Sequence, residues 1–179
     1  LKVMEEPPEG VLFLLTADSL AGVLPTIRSR CISFAVAPVS PEDCARYCTA
    51  QGVGAKDAAL YSALFDGHIG TVLAAARDEA RREQVDRALA LAKAAAARDS
   101  YAAAVLLAAY EKDKAGASAL LADFRAVAAA GLRDSPHSPV EGETARKALG
   151  AADAAMQQIG AQVNPKIVLS VLAAKFRTF

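Results

Sequence analysis

Tryptophan is absent from the 179-residue chain, histidine occurs twice, and aromatic residues make up only 6%. β-Sandwiches and barrels build their cores on aromatic and β-branched side chains, so this shortage argues against them. Net charge is missing too: twenty Lys and Arg balance twenty Asp and Glu. That balance removes the bulk electrostatic case for nucleic acid or a membrane surface. Three cysteines, Cys31, Cys44 and Cys48, are an odd number, which fits free thiols in a reducing compartment better than a disulfide framework. No continuous apolar run approaches the roughly 18 residues of a membrane-crossing helix, and the opening residues carry no signal-peptide pattern. A phosphate-binding loop of the G-x-x-x-x-G-K-[ST] type is also lacking. Leu1 stands where a start methionine would, inside what reads as the end of a helix, so the chain is expected to be part of a longer one.

What is abundant is alanine, the main contributor to a hydrophobic content of 54%. Small side chains with high helix propensity predict closely packed helices. The opening "LKVMEEPP" reads as a helix halted by Pro7 and Pro8, because proline lacks an N–H and disfavours a helical residue before it. "VLFLLT", Val11 to Thr16, is a short unbroken apolar run after Gly10. It has the pattern of a strand buried on both faces, which needs neighbouring strands from elsewhere. "CISFAV", Cys31 to Val36, predicts a second strand, and Leu24–Pro25 opens a helical turn between the two.

From Ser40 the pattern turns helical. Ser40, Pro41 and Asp43 sit at the cap, first and third positions of a helix that ends near Gly52–Gly54. A second helix is predicted over about Lys56–Phe65, stopping at Asp66–Gly67. A third starts near His68 and runs on through the charged stretch "RDEARREQVDR". Longer helices follow: one ends before Asp99–Ser100, which caps the next, and another carries Leu121, Phe124, Ala128 and Leu132 at helical spacing. "SPVE" predicts a capping box with Ser138 as cap and Glu141 three residues on. "NPKIVLSVLAAKF" has Asn164 as cap and Pro165 at the first position; with Ile167, Val168, Val171, Leu172 and Phe176 it should be largely buried.

Among residues that could carry chemistry, Arg30 stands out in "GVLPTIRSRCISF". A guanidinium is permanently charged and presents a planar fork of donors suited to phosphate oxygens. At a strand start it could neutralise charge on a transferred phosphoryl group, including one held by another subunit. From its chemistry alone an ordinary surface arginine is the favoured reading. Cys44 and Cys48 lie four apart on one helix face, but zinc needs about four ligands and nothing nearby supplies the rest. Glu5 and Glu6 are adjacent and do not face each other, which fits a helix end better than an acid–base pair. His137 and Ser138 are neighbours in a proline-rich loop and do not make a triad. The "RDEARREQVDR" run reads as a solvated helix face. No set of nucleophile, base and oxyanion donors can be assembled.

The order "LKVMEEPPEGVLFLLTAD", then "LPTIRSRCISF", resembles the bacterial clamp-loader subunits of the AAA+ class, whose signature it follows from Leu1 to Phe34. The resemblance implies a mainly α chain: the end of an AAA+ α/β core over residues 1–37, a three-helix lid over 38–80 and a helical-bundle collar over 81–179. It implies that Arg30, within Ser29-Arg30-Cys31, is an arginine finger acting in trans on ATP bound by a neighbouring subunit. Arg28 is the rival and more structural in character, and a polar sensor would fall at Thr16 or close to it. In the family's ATP-hydrolysing subunits the lid carries an arginine that senses the γ-phosphate. Here the matching stretch is "GHIGTVL", with Gly70 at that position. This resembles the non-hydrolysing, delta-prime form of the DNA polymerase III loader. The implied partners are the other loader subunits through the collar, and the sliding clamp and primer–template DNA through the assembled complex. No cofactor or metal is implied for the fragment itself, and the implied location is cytoplasmic. A fragment of the motor subunit, and a helical adaptor unrelated to replication, are the alternatives.

Overall fold

The computed structural model describes residues 2–17, 19–36 and 39–179, which fall into two compact units, Leu1–Ala37 and Pro38–Phe179. The described residues hold ten α-helices and no strand, so the mainly α class expected from the sequence is the one observed.

The first unit contains α1 (Lys2–Glu5), a 3-10 turn over Leu20–Gly22 and α2 (Pro25–Arg28). Ser19 caps the 3-10 turn by accepting from the Ala21 N–H at 3.2 Å, and Pro25 occupies the first position of α2. Neither apolar run forms the expected strand: residues 11–17 and 32–36 are irregular. The reason is that a strand satisfies its backbone only against another strand, and none lies among the described residues. No described residue of this unit is buried. Leu12, Leu14, Ile32 and Phe34 are each more than four-fifths exposed.

The second unit is a bundle of α3 (Pro41–Ala50), α4 (Ala55–Leu64), α5 (Ile69–Arg77), α6 (Glu79–Ala96), α7 (Ser100–Ala108), α8 (Lys114–Leu132), α9 (Gly142–Gly160) and α10 (Pro165–Lys175), closed by a 3-10 turn over Phe176–Thr178. Its caps are mostly those the sequence predicts. Ser40 accepts from the Asp43 N–H at 3.1 Å, and its hydroxyl donates to the Asp43 carboxylate at 3.0 Å. Asp99 accepts from the N–H groups of Tyr101 and Ala102, and Asn164 from that of Lys166 at 2.9 Å.

Three expectations are corrected. The third helix does not run through the charged stretch. Asp78 adopts an extended conformation, ends α5 and caps α6 by accepting from Ala80 and Arg81. Ser138 does not cap α9, whose cap position is Glu141. The Ser138 hydroxyl instead lies between the carbonyls of Val127 and Val140, at 2.9 and 3.0 Å. It thereby staples the loop after α8 back onto that helix. Finally, α10 buries Val168, Leu169, Leu172 and Ala173 but leaves Ile167 and Val171 open to solvent.

One buried core runs from Cys44 in α3 to Phe179, so the helices expected as lid and those expected as collar share it. At its centre α8 packs against α4, α6 and α9. By length and composition alone α8 could cross a membrane, with a mean hydropathy of 1.3, yet half of it is buried in this core. The rings of Phe124, Phe176 and Phe179 stack in sequence at 5.8 and 4.8 Å, in tilted pairs that tie α8 to the final turn. Two glycines permit the close approaches. Gly67, between α4 and α5, has φ +73° and leaves no room for a Cβ, which would lie 1.9 Å from the Val39 carbonyl oxygen. A Cβ on Gly131 would lie 2.0 Å from the Val140 carbonyl oxygen.

Candidate functional site

The turn that ends α2 is short and tightly hydrogen-bonded. The Ser29 N–H donates to the Pro25 carbonyl and the Arg30 N–H to the Ile27 carbonyl, both at 3.0 Å, and the Ser29 hydroxyl donates to the Thr26 carbonyl at 3.2 Å. This places the Arg30 side chain beside the helix end, whose carbonyls have no helical partners. Arg30 uses one nitrogen to hold on: Nη1 donates to the Thr26 carbonyl at 2.7 Å and to the Ser29 hydroxyl at 3.3 Å. Its Nη2 forms an ion pair with Glu5 Oε1. The guanidinium is therefore anchored to its own turn, with its side chain still 34% exposed.

Other predicted residues of this unit are less engaged. Arg28 is exposed and makes no ion pair among the described residues. Cys31 is an exposed free thiol. Thr16 is exposed in the irregular run, and no hydrogen bond joins it to Arg30 among the described residues. The structure thus assembles Thr26, Ser29, Arg30 and Glu5, and leaves Thr16 out. Sequence reading took Glu5 only as a helix-end residue, because no helical or strand spacing links it to Arg30.

In the second unit Gly70 lies exposed in the first turn of α5, with no atom within 4 Å of where a Cβ would stand. The backbone does not require glycine there; the position simply carries no side-chain donor.

The strongest electrostatic feature of this unit lies between helices. Arg81 at the start of α6 forks onto Asp123 of α8, with Nη2 2.6 Å from Oδ1 and Nη1 paired with Oδ2. The Arg81 guanidinium also lies 5.5 Å from the ring centre of Phe65, just after α4. Asp123 is only 5% exposed. Its hydrogen bonds push the Arg81 pKa up, against the opposing effect of burial. A second arginine, Arg133 after α8, donates to the Ala63 carbonyl at 3.2 Å and faces Asp66 at 3.4 Å.

Two faces are left open. α7 carries no charged residue, and its Tyr101 and Val105 are 79% and 57% exposed. It packs against α10, whose Ile167 and Val171 are likewise exposed. An open depression of about 450 Å³ is lined by Lys147, Ala151, Lys175, Thr178 and Phe179. The thiols of Cys44 and Cys48 are fully buried on α3, and burial, then the neighbouring Cys44, pushes the Cys48 pKa up. The Cys48 thiol is thereby held in its unreactive form. Among the described residues no three His, Cys, Asp or Glu side chains gather as a metal site would require.

These features describe a helical protein with an anchored, accessible arginine in its first unit. Residues 1–40 match the family described as DNA polymerase III, delta subunit, which relates this stretch to the clamp-loader family. No curated protein and no solved structure matches the chain.

Proposed function

We propose that this chain is the carboxyl-terminal part of a non-hydrolysing, delta-prime-type subunit of a bacterial DNA polymerase III clamp loader. In this reading Arg30 is an arginine finger for ATP bound by an adjacent subunit, with Ser29 and Cys31 as its motif neighbours and Thr16 as a sensor-like residue. The chain binds no ATP itself and has no turnover of its own. It helps the assembled cytoplasmic complex place the sliding clamp on primer–template DNA. The observation that carries the reading is the state of Arg30: fixed by Nη1 to Thr26 and Ser29, part-exposed, and sited within the stretch that matches the polymerase III family. An arginine so held has lost part of its rotamer entropy before it meets a phosphate, which favours a role as a rigid donor.

Three further observations support it. Gly70 offers no cation where the ATP-hydrolysing subunits carry one. The uncharged outer face of α7, with Ile167 and Val171 exposed on the neighbouring α10, suits packing against other loader subunits. The exposed apolar runs 11–17 and 32–36 have the composition of inner strands and suit the sheet of an AAA+ core.

The test is Arg30→Ala in the full-length protein, assembled with its loader subunits. ATP hydrolysis should fall while assembly by size exclusion stays intact; an unchanged rate would end the finger assignment. Calorimetry on the chain alone should detect no ATP binding.

A further inference from the structure

The Glu5–Arg30 ion pair has a consequence for any anion that approaches Arg30. Both hydrogens of Nη1 are directed to Thr26 and Ser29, so the Nε–Nη2 edge is the fork left to bind a phosphate. Glu5 stands on Nη2 of that edge. A carboxylate and a phosphate carry like charge, compete for the same donor and repel each other at that distance. The pair is also open to water on both sides, with 34% of the Arg30 side chain and 41% of that of Glu5 exposed. Its hold is therefore weak enough for a phosphate to displace. Glu6, the next residue, makes no ion pair among the described residues and so offers a control of the same charge.

We infer that Glu5 is a positioning residue that parks Arg30: it occupies the free edge of the guanidinium until a triphosphate on another subunit displaces it. This inference rests on the finger reading above. In the resting chain Glu5 neutralises Arg30 and keeps the fork in place. On engagement the carboxylate swings into solvent and the phosphate takes its position. No bond is made or broken, and no proton moves.

The experiment is steady-state ATP hydrolysis by the assembled loader over a range of ATP concentrations. Glu5→Gln removes the competing charge with little change of shape. Because the pair is already displaced in the engaged complex, kcat should stay constant while the ATP concentration for half-maximal turnover falls about two- to fivefold, the worth of a half-exposed ion pair. Glu6→Gln should change neither parameter. In an Arg30→Ala background Glu5→Gln should have no effect, which a merely structural role would not predict. If Arg30→Ala lowers turnover but Glu5→Gln leaves the half-maximal concentration unchanged, parking is wrong and the finger stands. A loss of kcat in Glu5→Gln would equally overturn parking, and a normal rate in Arg30→Ala would overturn both.

Discussion

Cutting the Arg81–Asp123 pair tests how the second unit is held together. Arg81→Met leaves the Asp123 carboxylate, its side chain 6% exposed, without its cation. Asp123→Ala leaves the guanidinium, 21% exposed, beneath Phe65 without its anion. Breaking a buried pair from one side costs about 3–5 kcal/mol. The residual exposure of Arg81 places Asp123→Ala at the lower end of that range, about 3 kcal/mol, and Arg81→Met somewhat higher. For a chain of this size that corresponds to a melting temperature lower by about 6–12 °C. The double substitution Arg81→Met/Asp123→Leu replaces the pair with apolar volume and should cost only about 1 kcal/mol, far less than the two singles together. Thermal and urea unfolding, followed by circular dichroism at 222 nm, gives these stabilities, with the single Asp123→Leu added to close the cycle. Single costs below about 1 kcal/mol, or additive losses in the double, would mean that the pair behaves as an exposed one and that the burial argument fails.

A thiol reagent should label one cysteine, Cys31, in the native chain and all three after unfolding, since Cys44 and Cys48 are fully buried; native labelling of three would refute the α3 packing. Burial pushes up the pKa values of both Cys48 and Tyr61, so the folded state holds these protons more tightly than the unfolded one. Their contribution should be complete below about pH 9 and fall as the pH rises beyond it, which urea midpoints between about pH 8 and 11 would show. Two helical glycines should respond with opposite signs. Gly70→Ala meets open space and should stabilise by about 0.5 kcal/mol. Gly131→Ala drives a methyl into the Val140 carbonyl and should cost about 2–3 kcal/mol. Both are read from unfolding curves.

Local signals in the sequence carried much of the helical plan. Ser40 and Asn164 announce their helices because a cap and the N–H it accepts from lie within three residues. The break at Asp78 escaped because Arg77 precedes it and the charged residues Glu79, Arg81, Arg82 and Glu83 follow, so an aspartate there reads as another solvated residue of one helix. The two apolar runs have a strand's composition, but a strand exists only with a partner, which no local pattern can report. Ile167 and Val171 follow the same logic: their spacing says apolar, while only packing says which apolar side meets the core. At the candidate site Arg30 was legible from its motif, whereas Glu5 was not, because a turn and two proline-broken segments separate the two. Arg81 and Asp123 lie on different helices, and nothing within either helix foretells the pairing.

Asp78 closes one helix and opens the next without a spare residue between them. Two backbone dihedrals therefore provide the whole of the slack at that joint, and Arg81 is clamped less than one turn beyond it. A force applied to α5 reaches α6 as torque rather than being lost in a slack tether. The joint behaves like a crank, with little free play between the two helices.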